Sequence, residues 1–176
     1  MNLFKKQYLN QRLHRFIEQK KERKIKVRTL QEANSICFFV SAKDSSRLEE
    51  LIQYISENDE KKMTVICYCP TKKMAENQKM FSFLHTVLSK DVSTKGQLNE
   101  QVQETIFSRH FELFIDLDTK TNLTSLYLKT LLQADFRIGA NRKYYRYFDF
   151  TLYTKEQHTI KDYLCSLDIY TSKLKN

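Results

Sequence analysis

Two aspartates, two residues apart, are the strongest candidates for chemistry in this sequence. Asp116 and Asp118 follow an apolar run at residues 111–115 that predicts a strand. In extended backbone such residues point to the same side, so the two carboxylates could jointly bind a divalent cation. Alternatively, Asp116 accepts hydrogen bonds from loop amides and Asp118 caps the next helix, because aspartate is favoured in such turns. We favour this structural role and predict no bound metal and no cofactor.

Further polar residues follow the ends of other predicted strands. Asp44, Ser45 and Ser46 lie where a predicted strand is followed by a helix. The amides and hydroxyls of Ser45 and Ser46 could receive an anion. Helix capping explains both serines equally well, and residues 46–49 have the pattern of a capping box. Since ligands of doubly wound sheets bind beyond the carboxyl ends of the strands, the ligand-binding candidates are Ser45, Ser46, Asp118 and Asn122. If the protein is an enzyme, its catalytic candidates are Asp44 and Asp116.

Positive charge is concentrated at one end of the chain. Residues 1–33 carry ten Lys and Arg against three Asp and Glu, whereas the rest carries twenty against eighteen. Residues 4–17 repeat apolar side chains at helical spacing with cations between them, which predicts a basic amphipathic helix. Residues 20–28 are too charged for a core and predict a linker or frayed arm. This asymmetry favours an acidic partner, either nucleic acid or an anionic membrane surface.

A second basic segment lies near the end of the chain, where residues 141–148 interleave cations with aromatic rings. Such a composition can stack bases and neutralise phosphates, or it can be a loop whose tyrosines cover the edge of the core. The predicted surface for an acidic partner therefore combines both segments: Lys5, Lys6, Arg12, Arg15, Lys20, Arg142, Lys143 and Arg146.

Strands and helices must alternate to position these residues. Apolar runs at residues 35–40 and 63–68 predict buried strands. Residues 111–115 and 136–139 predict two further strands, and residues 148–153 a half-exposed edge strand. Residues 80–84 fit a short strand or the start of a helix, and we favour the strand. Helical periodicity covers residues 46–55, 99–110, 123–131 and 156–170. The expected fold is a three-layer α/β, Rossmann-like domain with a mostly parallel sheet and helices on both faces. We expect residues 1–28 to form a basic helix and linker, and residues 29–176 a single domain.

Glycine, cysteine and hydropathy exclude several classes of protein. Gly96 and Gly139 are the only glycines, so the G-x-G-x-x-G loop, the Walker P-loop and the G-x-S-x-G elbow cannot occur. The four cysteines occur in apolar surroundings without the spacing of a secreted framework, which predicts reduced thiols. No apolar run is long enough for a membrane span or a signal-peptide core. We therefore expect a cytoplasmic protein.

Residues 111–139 carry a local resemblance. An apolar strand, Ile-Asp-Leu at 115–117, a helix, and Ala-x-x-Arg-Ile-Gly at 134–139 together resemble the acceptor-side, N-terminal Rossmann-like domain of lipopolysaccharide heptosyltransferases. Nearly the full chain resembles an uncharacterised bacterial family of short proteins that carry one domain of unknown function. That likeness rests on the basic first helix, residues 27–33, residues 89–92 and the Ile-Asp-Leu segment.

The likeness to the transferases implies a fold more than an activity, because 176 residues cannot hold the second domain that binds their nucleotide-sugar donor. Their first strand leads into a Gly-Asp loop with a candidate base, which Asp44 would replace here without the glycine. Our leading expectation is a non-enzymatic binding or interaction domain that presents a basic helix to an acidic partner. The alternative is a small enzyme or ligand sensor with a glycosyltransferase-like site at the strand carboxyl ends.

Overall fold

A computed structural model describes residues 3–58, 62–76, 78, 81–119, 121–153 and 158–175. Six strands alternate with helices along the chain. The strands are β1 (Ser35–Ser41), β2 (Lys62–Cys69), β3 (Leu84–Leu88), β4 (His110–Asp116), β5 (Gln133–Gly139) and β6 (Phe150–Thr151). The helices are α1 (Leu3–Lys21), α2 (Ser45–Ser56), α3 (Lys72–Glu76), α4 (Glu100–Val102), α5 (Leu123–Leu131) and α6 (Ile160–Lys173).

All five strand pairings are parallel, in the order β3-β2-β1-β4-β5-β6. Every strand from β1 to β5 is built around apolar, largely branched or aromatic side chains, which suits strands covered on both faces. The order reverses between β1 and β4, where Phe39 pairs with Asp116. In doubly wound sheets this reversal leaves a crevice at the carboxyl ends of the two strands, which is the usual place for a ligand. The predicted α/β fold with three layers is confirmed.

Two apolar clusters cover the two faces of the sheet. One cluster contains the inward stripes of α2 and α6. The other contains side chains of α1, α5 and the turn that follows α4. The central strands contribute alternate residues to each cluster, as in β1, where Phe38 faces the first and Phe39 the second. The sheet is therefore the middle layer of an α/β/α sandwich.

Helix α1 packs against the sheet rather than projecting from it. Leu9 and Leu13 are 0% and 3% exposed and belong to the same cluster as the neighbouring strands and α5. Phe16 stacks on Tyr147, with ring centroids 6.4 Å apart. Most of the predicted apolar stripe is thus used in packing, while Phe4 at the first turn remains exposed. Independent folding of residues 29–176 stays a prediction.

The first half of α1 is also held by a loop after β3. Lys5 Nζ donates a hydrogen bond of 2.6 Å to the carbonyl of Val92. The ring of Tyr8 lies so close to Gly96 that a Cβ there would meet it at about 2.1 Å, and Gly96 has a φ of +73°. Glycine is therefore needed at position 96 both for its conformation and for the approach of α1.

Two predicted boundaries in the middle of the chain were wrong. The strand expected at residues 80–84 begins only at Leu84, because Phe81 to Phe83 form a turn closed by the hydrogen bond from Leu84 N to Phe81 O. Met80 lies outside the described residues. The helix expected at residues 99–110 ends at Phe107, since α4 passes into a π-helical turn, Gln103–Phe107. His110 instead opens β4.

Near the carboxyl end of the chain, the half-exposed edge strand is confirmed but short. Only β6 (Phe150–Thr151) pairs, with Ile138 and Gly139 of β5. The last helix begins at Ile160, and Thr159 caps it by accepting a hydrogen bond from the Asp162 amide. The expected start at Glu156 lies outside the described residues. All four cysteines are free, and Cys165 is exposed rather than in apolar surroundings.

Candidate functional site

Asp116 and Asp118 converge on one ammonium group at the carboxyl end of β4. Lys129 Nζ lies 2.8 Å from Asp116 Oδ2 and 3.0 Å from Asp118 Oδ2. It also donates a 2.7 Å hydrogen bond to Thr121 Oγ1. The two carboxylates thus share one side, as their spacing predicts. The cation between them is the side chain of Lys129 from α5.

This ion cluster is closed to solvent. Asp116 and Asp118 are each 1% exposed and Lys129 is 0% exposed. Burial raises the pKa of Asp116 to about 6, although the positive charge of Lys129 lowers it. The amide of Asp118 donates to Asp116 Oδ1 at 3.0 Å, so the predicted loop-amide acceptor role of Asp116 is confirmed. The geometry suits a structural anchor for the loop between β4 and α5.

Asp44 bridges the crevice between β1 and β4. Its Oδ2 accepts a 3.0 Å hydrogen bond from Thr119 Oγ1 and lies 3.6 Å from Arg47 Nε. Asp44 is the N-cap residue of α2 but makes no side-chain capping bond. The predicted capping box at residues 46–49 was wrong, because α2 begins one residue earlier, at Ser45. Ser45 and Ser46 are exposed at its first turn.

Asn122 caps α5, so the expectation that Asp118 caps this helix was wrong. Asn122 Oδ1 accepts a 2.9 Å hydrogen bond from the Ser125 amide, and the Asn122 amide donates to Ser125 Oγ at 3.0 Å. Because Asn122 caps the helix, the side chain of Asp118 turns inward and pairs with Lys129. Asn122 is exposed at the carboxyl edge of the sheet, and its side chain caps α5.

A groove of about 680 Å³ opens between α2 and α3 beside this edge. Ala42 and Ser45 line it at the end of β1, and Met74 and Phe81 line its far side. Of the predicted ligand-binding residues, only Ser45 lines this groove. Asp118 is buried with Lys129, away from any open surface.

The predicted cations of α1 divide into anchored and exposed groups. Lys5 is half-buried and donates to the carbonyl of Val92. Arg12 is exposed, and its Nε donates a 2.8 Å hydrogen bond to the hydroxyl of Tyr8 on the same helix. Lys6 and Arg15 are exposed on the outer face of the helix. The face that α1 turns to solvent is therefore basic, while its opposite face is packed on the sheet.

Lys20 joins α1 to the second basic segment. Its Nζ donates a 3.3 Å hydrogen bond to the carbonyl of Arg146 and another to that of Phe148. Arg146 belongs to the 3₁₀ segment Arg142–Tyr147, which follows β5. The side chains of Arg142, Lys143 and Arg146 are exposed there. Two sets of cations that are about 120 residues apart in sequence thus form one surface.

A groove of about 600 Å³ lies at this junction, and we call it the basic groove. Its lining carries four cations against one carboxylate, and Lys21 pairs with that carboxylate, Glu18, at 3.0 Å. The lining residues are His14, Ile17, Glu18, Lys20, Lys21, Arg23, Ile25 and Arg146.

Asp149 is a buried counter-charge for two of the cations that line the basic groove, Lys20 and Arg23. Its side chain is 0% exposed, pairs with Arg23, and lies 3.8 Å from Lys20 Nζ. Its Oδ2 also accepts a 2.9 Å hydrogen bond from the Arg137 amide. Residues 22–28, which follow α1, have no regular secondary structure, as predicted for a linker, but they are not a frayed arm. Arg23 fixes this segment to Asp149, and Arg28 lies 3.8 Å from Glu112 and from Asp135.

Three buried charged residues were missed by the sequence analysis: Lys129, Arg137 and Asp149. Arg137 is 1% exposed and donates to the carbonyls of Leu132 and Lys129 at the end of α5. Its guanidinium lies 4.7 Å from the ring centroid of Phe114 and 5.1 Å from that of Phe16. Burial lowers the pKa of Arg137 to about 10. For Arg137 and Asp149, the signal in the sequence was a charged residue between two apolar residues within a predicted strand.

Two features are absent from the part of the chain that the structure describes. Within residues 3–58, 62–76, 78, 81–119, 121–153 and 158–175, no group of three or more His, Cys, Asp or Glu side chains is arranged to hold a metal ion. Over the same ranges, no helix has both the length and the apolar character that crossing a membrane requires.

Comparison with known proteins identifies a family but no activity. No curated protein matches the chain, and no solved structure matches it either. One family model matches residues 5–174, and its description is a family of unknown function, DUF6913. The match spans α1, the whole sheet and α6. The chain therefore belongs to the DUF6913 family.

Proposed function

We propose that the protein is a non-enzymatic module that binds nucleic acid through the basic groove and the exposed cations beside it. The observation that carries this proposal is the pair of hydrogen bonds from Lys20 to the carbonyls of Arg146 and Phe148. They join α1 to the Arg142–Tyr147 segment and gather cations from both. A surface of this kind binds phosphodiester backbones by counterion release, with little dependence on base sequence.

The packing of α1 favours nucleic acid over an anionic membrane. An interfacial helix binds a bilayer by inserting its apolar face. In this protein Leu9 and Leu13 are already buried against the sheet. Only Leu3 and Phe4, at the first turn, carry large exposed apolar side chains on α1. The exposed face is instead polar and basic, which suits phosphates.

The carboxylates at the end of β4 support a role other than catalysis. Asp116 and Asp118 share one counter-charge, Lys129, and both are buried. A general acid or base must come within hydrogen-bond reach of a bound substrate. Neither carboxylate faces such a space, which supports a binding module over an enzyme.

A matched pair of double variants tests the proposal. Lys21→Gln with Arg146→Gln removes two exposed cations of the basic groove and one surface ion pair, Lys21–Glu18. Lys72→Gln with Lys73→Gln, on α3, removes the same charge and the comparable pair Lys72–Glu76. Binding of fluorescent random-sequence single-stranded RNA is measured for both by anisotropy at low salt. We expect several-fold weaker binding for the groove variant and wild-type affinity for the α3 variant.

Anionic vesicles provide the competing outcome. Equal binding of RNA by both double variants and the wild type would overturn the proposed surface. Binding to phosphatidylserine vesicles that persists at high salt, without RNA binding, would assign α1 to a membrane instead.

The groove between α2 and α3 supports a second candidate, a ligand sensor or small enzyme at the strand carboxyl ends. Ser45 lines this groove, and Asp44 lies beside it in the sequence. The likeness of residues 111–139 to the acceptor domain of heptosyltransferases belongs to this candidate. A crystal soaked with a nucleotide would test it, and density beside Ser45 would support this candidate. We also propose that the protein is of bacterial origin and is located in the cytoplasm.

A further inference from the structure

Two exposed tyrosines flank a second groove next to the basic groove. Tyr145 is 56% exposed and Tyr153 is 65% exposed. Together with Arg142 and Thr151 they line a surface groove of about 480 Å³. Tyr145 comes from the 3₁₀ segment after β5, whereas Tyr153 follows β6. The fold therefore brings two aromatic rings and a guanidinium to one place on the surface.

These two rings differ from the other tyrosines of the same segment. The hydroxyl of Tyr144 donates to the carbonyl of Thr121 at 3.3 Å, and Tyr147 stacks on Phe16. Both are half-buried parts of the domain's packing. Tyr145 and Tyr153 instead have most of their surface exposed to water, so these two rings do not contribute the stability that burial of an aromatic side chain gives. Each ring therefore keeps a surface that a planar ligand can reach, although the guanidinium of Arg146 lies over one face of Tyr145.

Arg146 links the two grooves. It lines the basic groove, and its guanidinium lies 5.8 Å from the ring centroid of Tyr145. Its Nε also donates a 3.2 Å hydrogen bond to the Tyr145 hydroxyl. A phosphate bound by Arg146 would therefore have its attached base near Tyr145. Alternation of cations and exposed aromatic rings along one path is the pattern that binds single strands.

We propose that the preferred ligand is single-stranded nucleic acid, whose unpaired bases stack on Tyr145 and Tyr153 while its phosphates contact Arg142 and Arg146. This inference rests on the proposed function. In a duplex each base is stacked on its neighbours and its faces are inaccessible to side chains. Stacking on a protein ring needs an unpaired base, and it tolerates any base because every base has a π face.

Three probes of similar backbone charge separate stacking from phosphate binding. They are oligothymidine of about 20 nucleotides, which exceeds the site sizes of about 4–16 nucleotides typical of one binding fold, an abasic strand of equal length, and a duplex with half as many base pairs, whose two strands together carry the same number of phosphates. We expect the wild type to bind oligothymidine at least about 5-fold more tightly than either of the others, the gain of one stacked base.

Tyrosine variants then assign the stacking. Tyr145→Ala and Tyr153→Ala should each weaken oligothymidine binding by roughly 5- to 150-fold, while abasic binding stays unchanged. Replacement of either residue by phenylalanine should retain the affinity, because the ring remains. Tyr170→Ala is the matched control, since Tyr170 is 50% exposed on α6 and also lies near a cation, Lys173, at 5.9 Å. It should bind as the wild type does.

Fluorescence quenching reports contact between a base and the ring at position 145, and it does so separately from the binding constant. The chain contains no tryptophan, so Tyr145→Trp creates a single indole in the groove. Oligothymidine should quench its emission and the abasic strand should not, and Tyr170→Trp should respond to neither. Equal affinity for all three probes, or an unaffected Tyr145→Ala and Tyr153→Ala pair, would overturn stacking but leave phosphate binding intact. Absence of binding to every probe would overturn the proposed function itself.

Discussion

At the scale of single residues, the cluster of Lys129 with two aspartates decides how the carboxyl end of β4 behaves. The three groups are fully buried and within 3.0 Å of one another through the ammonium. A buried ion pair contributes little net stability, but removing one partner leaves an uncompensated charge. The cluster therefore makes the end of β4 intolerant of single changes.

Lys129→Met should destabilise the protein by about 3–5 kcal/mol, the usual cost of breaking a buried ion pair. Urea denaturation followed by circular dichroism measures the loss. Lys161→Met is the control, because Lys161 is exposed on α6 and should change stability by no more than about 0.5 kcal/mol. Adding Asp116→Asn to Lys129→Met should restore part of the loss, since one unpaired buried charge disappears. A fully stable Lys129→Met protein would show that the cluster is not buried as described.

Asp116 should also give a measurable pH dependence. Its pKa rises from 3.8 to about 6 on folding, mainly through desolvation. Between these values the folded protein holds a proton that the unfolded chain has lost, so this stabilisation is present below about pH 4 and is lost as the pH rises through 6. Relative to Asp116→Asn, the wild type should lose up to about 3 kcal/mol over that interval. Denaturation of both proteins at several pH values tests this, and a constant difference would contradict it.

The sequence could predict the position of the two aspartates but not their partner. Strand geometry alone places residues 116 and 118 on one side. Lys129 follows eleven residues after Asp118, on a helix whose rotation about its axis is set by packing on the sheet. Arg137 and Asp149 were missed for a similar reason, because only the docking of α1 and α5 shows which groups contact them inside the fold.

At the scale of elements, α1 is an integral layer of the sandwich. Its buried leucines fill the cluster beside α5, and its last turn brings Lys20 to Asp149. Deletion of residues 1–28 would expose that cluster and leave Asp149 without Arg23. We therefore expect the truncated chain to lose cooperative thermal unfolding, in contrast to the independence that the sequence alone predicts. A cooperative transition near the wild-type temperature would favour independence.

Single substitutions in α1 separate packing from the loss of a whole segment. Leu13→Ala removes a side chain that is 3% exposed and should cost about 2–5 kcal/mol. Leu3→Ala, at 66% exposed, should stay within about 0.5 kcal/mol. Chemical denaturation compares the two, and equal effects would indicate that α1 does not pack on the sheet.

Most elements could be predicted because their apolar patterns are distinct. The apolar runs of β1 and β2 are nearly uninterrupted, and those of β4 and β5, residues 111–115 and 136–139, each contain a single charged residue, Glu112 and Arg137, between apolar ones. Helix α5 matched its expected range, Leu123–Leu131. The errors occurred where aromatic residues crowd outside a strand, as at Phe81 and Phe83, which lie within a turn and pack on each other with ring centroids 5.2 Å apart. The π-helical turn, Gln103–Phe107, has helical periodicity, so its end could not be read from spacing.

At the scale of the whole molecule, the uneven charge of the sequence becomes a continuous surface. The excess of cations in residues 1–33 is evident from the sequence. Its position beside the cations of residues 142–147 depends on the fold, which places β6 beside β5 and brings Lys20, at the end of α1, to the carbonyl of Arg146. The apolar half of α1 faces inward and its basic half faces outward. Long-range attraction of a polyanion to such a surface should depend strongly on ionic strength.

The salt dependence of RNA binding is the most direct test of nucleic-acid recognition by the basic groove. The association constant of the wild type for random-sequence single-stranded RNA is measured from about 50 to 200 mM salt, and its logarithm is plotted against that of the salt concentration. We predict a steep linear decrease. The slope should become shallower by about 1.4 in the Lys21→Gln, Arg146→Gln variant, because each lost phosphate contact in a single strand removes about 0.7. The Lys72→Gln, Lys73→Gln variant should keep the wild-type slope, and a slope equal in all three proteins would contradict the account.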